Sequence, residues 1–228
     1  MSAAPAAFAA TVTAGAAPAC EARDLAHRYG ARTALEPVSF ALAGPLAAAV
    51  TGPNGSGKTT LLRIVCGLLR AQRGTCSLAI GGREVPPGER RHWVGYAGPA
   101  LAFYDELTVA ENLTFAAETR GIANPGAATT AALERVGLDA RAADRVAALS
   151  SGMLQRLRLA FALLHRPPVL LLDEPGSHLD DEGRALVARV VDEERRRSLV
   201  LIATNDEREW RLAEQRIELR GRGLGHPA

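Results

Sequence analysis

Eight residues, Gly52-Pro53-Asn54-Gly55-Ser56-Gly57-Lys58-Thr59, constrain this chain more than any other stretch. They follow an apolar run over 46–50 that reads as a strand. They open 58–69, where Leu61, Leu62, Val65, Leu68 and Leu69 recur at helical spacing. A Gly-x4-Gly-Lys-Thr loop in that setting turns backbone N–H groups inward, and the helix start adds positive potential, so the loop suits a polyphosphate. Lys58 would reach the outer phosphates, Thr59 would offer a hydroxyl to Mg²⁺, and Thr60 belongs with the same binding set. The chain has 27 basic residues, and the single Lys among them is at 58. A coding bias toward Arg explains the scarcity but not the placement. A compact ammonium fits a narrow cradle, and a planar guanidinium does not.

From Cys20 onward, short apolar runs alternate with amphipathic stretches, which predicts an α/β domain on a mostly parallel sheet. Further strands are expected over 75–80, 93–97, 169–172, 199–203 and 216–219. Helices are expected over 108–119, 129–136, 181–196 and 206–213. Thr108 and Glu111 form a capping box for the first of these. Residues 100–165 thus read as a mainly helical lobe inserted between core strands. The run 169–172 is unbroken and apolar, as in a strand buried on both faces, and it delivers Asp173 and Glu174 at its end. One carboxylate can enter a Mg²⁺ shell while the other orients or deprotonates an attacking water.

With 228 residues, 47% of them apolar, and a net charge of +2, the composition fits an ordinary globular domain and excludes collagen-like, coiled-coil and wholly disordered chains. Arg is scattered among Asp and Glu, so no nucleic-acid partner is expected. Cys20, Cys66 and Cys76 lack metal-ligand spacing and read as free thiols in a reducing, cytoplasmic setting. No run is long enough to span a membrane. Residues 1–19 are uncharged and Ala-rich, and read as a flexible extension rather than a secretory leader. The Gly-rich stretch 221–228 reads as a loose tail.

Leu149-Ser150-Ser151-Gly152-Met153, followed by Gln155 and Arg156, resembles the signature motif of the ATP-binding cassette (ABC) family. It precedes Leu170-Leu171-Leu172-Asp173-Glu174-Pro175 by the expected interval, and Gly176-Ser177-His178-Leu179-Asp180 resembles the family's D-loop. Tyr29 resembles its adenine-stacking aromatic. The resemblance covers about 20–220 as a single ATP-binding domain. It implies a P-loop NTPase core of the RecA-like kind, a small antiparallel β-lobe and an inserted helical lobe, with ATP and Mg²⁺ as ligands. It also implies a head-to-tail dimer, of identical copies or of two paralogues, in which Ser150, Ser151, Gly152 and Asp180 face the nucleotide held by the partner's loop. Ser150 can serve at the same time as a helix N-cap.

Ser151 and Met153 are a variant of the commonest signature residues, and two positions outside the signature also depart from the family pattern. Pro99 stands where the family usually has the Q-loop Gln, and Asn205 stands where it has the switch His, so neither carries the usual functional group. The resemblance therefore implies ATP hydrolysis by Glu174, Lys58 and Asn205 that is slow, or at the extreme a degenerate ATP-gated clamp. Within the family, the compact length, the signature and residues 106–113 look most like the heme-exporter subunits of cytochrome c biogenesis, with multidrug and polysaccharide exporter subunits close. The resemblance implies a separate membrane permease as partner, docked around 99–104 with Leu101, Phe103 and Tyr104 as anchors, and a place on the cytoplasmic face of the cell membrane. A soluble ABC ATPase acting outside transport is the other class that the motifs allow.

Overall fold

The computed structural model describes residues 17–221. The chain begins with two long strands, β1 (Ala19–Tyr29) and β2 (Arg32–Ala43), and then enters β3 (Leu46–Thr51), the glycine loop and α1 (Lys58–Val65). β4 (Arg73–Ile80), β5 (Arg83–Glu84) and a 3₁₀ segment (Pro87–His92) lead to β6 (Val94–Ala97). Three helices follow, α2 (Val109–Thr119), α3 (Pro125–Val136) and α4 (Ser151–Leu163). The chain then alternates through β7 (Val169–Asp173), α5 (Asp181–Glu194), β8 (Leu199–Ala203), α6 (Glu207–Trp210) and β9 (Gln215–Glu218).

Two sheets result. One is antiparallel in the order β2-β1-β4-β5, and the other is parallel in the order β6-β7-β8-β3-β9. The middle strands of the parallel sheet are buried on both faces, so their alternating side chains feed two cores. Leu170, Leu172, Val200 and Ile202 pack with Leu113, Leu133, Leu157 and Val190 of the helices on one face. Leu171, Leu199, Leu201 and Val50 pack on the other face with Leu61, Leu62 and Val65 of α1 and with Leu25, Leu35 and Leu78 of the antiparallel sheet. The carboxyl ends of β3, β7 and β8 lie side by side, where ligands bind in open parallel sheets.

Several boundaries differ from the sequence reading. The helix expected over 58–69 ends at Val65, because Cys66 caps it and Gly67, at φ 81°, approaches the Pro87 carbonyl too closely to carry a Cβ. The helix expected from 129 starts at Pro125, with Asn124 as its N-cap accepting from the Ala127 N–H at 3.2 Å. The helices expected over 181–196 and 206–213 are shorter, at Asp181–Glu194 and Glu207–Trp210. The capping box at Thr108 and Glu111 forms as expected. The expected extension at 1–19 is cut short by β1, which begins at Ala19, and residues 1–16 lie outside the described residues. Of the expected tail, 222–228 lie outside them as well.

Candidate nucleotide site

The loop after β3 is shaped by glycines. Gly52, Gly55 and Gly57 have φ of 147°, 80° and 102°, a region that disfavours side chains. A Cβ on Gly52 would come within 2.6 Å of the Leu219 carbonyl, and one on Gly57 would fall on the Ala34 carbonyl of β2. Gly57 occupies the N-cap of α1 without a side-chain cap, so the first N–H groups of the helix have no side-chain acceptor there. The buried Ser56 hydroxyl also has no hydrogen-bond partner. An orphaned hydroxyl beside uncapped helix donors, in a loop with no room for a Cβ at Gly52 or Gly57, fits a bound phosphate.

Lys58 is buried beneath this loop, with 6% of its surface exposed. Its Nζ donates to the Gly52 carbonyl at 2.9 Å and to Asn205 Oδ1 at 2.7 Å, and it lies 3.8 Å from Glu174 Oε1. Asn205 Nδ2 in turn donates to Asn54 Oδ1. Thr59 Oγ1 donates to Asp173 Oδ1 at 3.1 Å, bringing a hydroxyl and a carboxylate together at the loop's edge. Hard oxygen donors of this kind, few enough to leave room for water, fit Mg²⁺. Thr60 is buried on α1, and Pro53 accepts at its carbonyl from the Ser56 N–H at 3.0 Å.

The charges in this site perturb one another. Burial pushes Lys58 below the ordinary lysine range, against the pull of Glu174 and Asp173. Burial raises the Asp173 carboxyl, opposed by hydrogen bonds from Thr59 and Tyr96. Burial likewise raises Glu174, aided by the negative charges of Glu209 and Asp173 and opposed by Lys58. Glu174 has φ 50°, rare for a residue with a side chain. That conformation is held by its N–H donating to the Ala203 carbonyl at 2.8 Å and by Gln155 Nε2, which donates to the Glu174 and Pro175 carbonyls at 3.2 and 3.1 Å.

Ser150, Ser151, Gly152 and Asp180 lie together elsewhere, lining a cleft of about 430 Å³ whose walls include none of the glycine-loop residues. Ser150 caps α4 by accepting from the Met153 N–H at 3.2 Å. Asp180 caps α5 by accepting from the Gly183 N–H at 2.8 Å and sits 3.7 Å from Arg156. Tyr29 is half exposed at the end of β1, edge-on to His27 and near the Arg63 guanidinium. Pro99 contributes only its carbonyl, which accepts from Arg158 Nη2 at 3.3 Å. Of the expected docking anchors, Phe103 packs inward on Phe161, while Tyr104 stays exposed against Phe115, which the sequence reading had not marked.

Tyr96, Glu209 and Gln155 also shape the site. Tyr96 OH donates to Asp173 Oδ2 at 3.2 Å, and Glu209 Oε1 accepts from the Gly176 N–H at 2.7 Å. Tyr96 falls within an expected strand and Glu209 within an expected helix, but neither stands in a motif. Gln155 stands in the signature run, yet its bond to the turn after β7 has no sequence signal.

A parallel sheet that runs from its inner strand through this loop into a helix, with a buried carboxylate two strands away, is the core of a P-loop nucleotide-binding protein. Residues 35–177 match the family model described as ABC transporter, and the chain belongs to that family. It is 39% identical over 184 residues to an uncharacterized ABC transporter ATP-binding protein, YxlF, of Bacillus subtilis, a match covering 80% of this chain and 61% of that protein. It is 40% identical over 162 residues to the cytochrome c biogenesis ATP-binding export protein CcmA of Nitrobacter winogradskyi, covering 71% of this chain and 78% of that one. With an Fe(3+) ions import ATP-binding protein of Rhodococcus jostii it shares 41% identity over 167 residues, 72% of this chain and 47% of the relative. The chain thus spans about three-fifths of YxlF and about half of the iron importer subunit. A dimeric ATP-binding cassette solved in a post-hydrolysis state with ADP and Pi shares the fold, with a TM-score of 0.77 at 21% identity over 88% of this chain and 94% of that one.

Proposed function

We propose that this chain is the ATP-hydrolysing subunit of an ABC transporter and that it drives a separate membrane permease from the cytoplasmic face. The observation that carries the reading is the meeting of Lys58, Glu174, Thr59 and Asp173 at the carboxyl ends of β3 and β7. In this reading the loop 52–60 holds the phosphates of ATP, Tyr29 stacks on adenine, and Thr59 and Asp173 hold Mg²⁺. When bound, the ion supplies charge neutralisation at the phosphates. Glu174 accepts the proton of the attacking water as the bond from the terminal phosphorus to the bridging oxygen breaks, and ADP and phosphate leave. A carboxyl raised by burial is a better base than an exposed one, which supports this role for Glu174.

Ser150, Ser151, Gly152 and Asp180 act in this proposal on the nucleotide of a second ATP-binding subunit, since their cleft is apart from the chain's own loop. The ATP-binding domain is residues 20–220, and the exposed Tyr104–Phe115 pair on the helical lobe meets the permease. Export, of the heme and cytochrome c biogenesis type, is the favoured direction and cargo, supported by the signature variant and by the likeness to CcmA. The iron importer relative makes import the competing outcome. Gentle solubilisation of membranes followed by purification of this chain tests the assignment. Co-purification of a permease encoded with cytochrome c assembly functions is expected, and recovery of no membrane partner would overturn the transport reading.

A second reading, an ATP-gated clamp that turns over slowly, is favoured by the bonding of Lys58 to Asn205 rather than to a histidine and by Pro99. Single-turnover release of ADP separates the two. A clamp holds uncleaved ATP, whereas a transport ATPase releases ADP and phosphate.

A further inference from the structure

We propose that Tyr96 is a positioning residue that fixes the Asp173 carboxylate for the Mg²⁺ of the nucleotide, and that Gly98 is side-chain-free to admit its hydroxyl. The inference rests on the nucleotide site proposed above and goes beyond it, to a residue outside every motif.

Asp173 is fully buried at the last position of β7. Each carboxylate oxygen has one side-chain donor: Thr59 Oγ1 reaches Oδ1 at 3.1 Å and Tyr96 OH reaches Oδ2 at 3.2 Å. The two donors divide the work. Thr59 comes from the glycine-loop side and is itself a candidate metal ligand, so its hydroxyl would serve an ion through its oxygen as well as Oδ1 through its proton. Tyr96 approaches from the neighbouring parallel strand β6 and has no such second task. Its bond to Oδ2 can persist and keep Oδ1 facing Thr59 while the ion binds.

Backbone register makes this contact. β6 pairs in parallel with β7, with Tyr96 opposite Leu171, and Leu171 and Asp173 lie on one face of β7 because they are two residues apart. Tyr96 lies on that face of β6, and its long ring carries the hydroxyl forward by two residues to Asp173. Gly98 is the next residue on the same side of the chain, and a Cβ there would fall on the Tyr96 hydroxyl and crowd its ring. The Arg63 guanidinium of α1 lies near the phenol on the helix side. Groups that orient a metal ligand through a hydrogen bond typically contribute roughly 10- to 100-fold in metal affinity.

The test is the Mg²⁺ titration of ATP binding, followed with a fluorescent ATP analogue in the full chain, with a parallel measurement in EDTA. Tyr96→Phe keeps the ring and removes the hydroxyl. It is expected to raise the Mg²⁺ concentration needed for half-maximal binding by roughly tenfold or more, with binding in EDTA unchanged. Gly98→Ala leaves the hydroxyl in place chemically but displaces it, and is expected to reproduce the shift. A Tyr96→Phe titration within twofold of the parent's would overturn the proposal. So would equal weakening with and without Mg²⁺, which is what a merely structural role produces. If the unaltered chain binds no nucleotide with or without Mg²⁺, the nucleotide site itself fails and this inference with it.

Discussion

Lys58 Nζ and Asn205 Oδ1, 147 residues apart in sequence, meet at 2.7 Å, so the loop after β3 is tied to the end of β8 by one neutral acceptor. Asn205 completes the tie through Nδ2, which donates to Asn54 in the same loop. An amide can take a proton-bearing partner on one side and donate on the other, but it adds no positive charge toward a phosphate. Replacing it by histidine restores a group that can carry charge where the terminal phosphate would sit. Asn205→His is therefore expected to raise the ATPase rate, by up to roughly 10²-fold if one preorganised donor is what the parent lacks. Steady-state phosphate release checks this, and no gain would refute the idea that Asn205 limits the chemistry.

The Lys58 site discriminates between the two basic side chains. Lys58 is 6% exposed and its ammonium bonds a backbone carbonyl of its own loop at 2.9 Å, a geometry for a compact, rotating donor. A guanidinium keeps the charge but is a planar fork rather than the compact donor that sits between the Gly52 carbonyl and Asn205 Oδ1. Lys58→Arg is expected to lower ATP affinity by roughly tenfold or more, since a charge-assisted bond to phosphate is lost with its geometry. Equilibrium binding measures it directly, and near-parental affinity would mean that Arg scarcity alone placed the lysine.

Glu174 sits 3.8 Å from Lys58 on a left-handed backbone turn that Gln155 and the Ala203 carbonyl hold in place. Glu174→Gln removes the base while keeping the shape and the backbone bonds. Hydrolysis is expected to fall by roughly 10²- to 10⁴-fold, the usual contribution of a positioned base, with ATP binding retained. If two copies of this chain pair, size-exclusion chromatography with ATP and Mg²⁺ should then show the variant as a dimer. A variant that hydrolyses ATP at the parental rate would remove Glu174 from the chemistry.

The parallel core was legible because burial on both faces leaves unbroken apolar runs, as at 169–172 and 199–203, and because the glycine loop is a local motif. β1 was not legible as a strand. Its buried positions Cys20, Ala22, Leu25 and His27 break strict alternation at Asp24, which has φ 47° and shifts the register between Ala22 and Leu25. Tyr96 and Arg90 were invisible for a different reason. Their partners, Asp173 for the first and the carbonyls of Ile64, Val65 and Cys76 for the second, come from other elements, and no spacing along the chain encodes such contacts.

Neighbours that the fold brings to Cys76 hold its thiol below the ordinary cysteine value. Cys76 and Cys20 lie on adjacent antiparallel strands, where Cys76 faces Ala22 and Cys20 faces Leu78. The neighbouring Cys20 thiol, together with the buried Arg90 guanidinium 3.8 Å from the Cys76 sulfur, pulls the Cys76 thiol down against the opposing effect of burial. Cys20 is pushed up by the same pairing and by its own burial, and burial pushes Cys66 up to about 11. Only the thiolate attacks an alkylating reagent. As pH rises, iodoacetamide labelling of the folded chain should therefore appear first at Cys76, with a midpoint below the ordinary cysteine value of about 8.5, while Cys20 and Cys66 stay unlabelled. Cys20→Ala removes the first of the two stabilising contacts and should move the midpoint upward, toward the ordinary cysteine value of about 8.5. Peptide mapping after pulsed labelling across pH 5.5–9.5 reads both chains, and an unchanged midpoint in the variant would show that Arg90 alone sets the reactivity of this thiol.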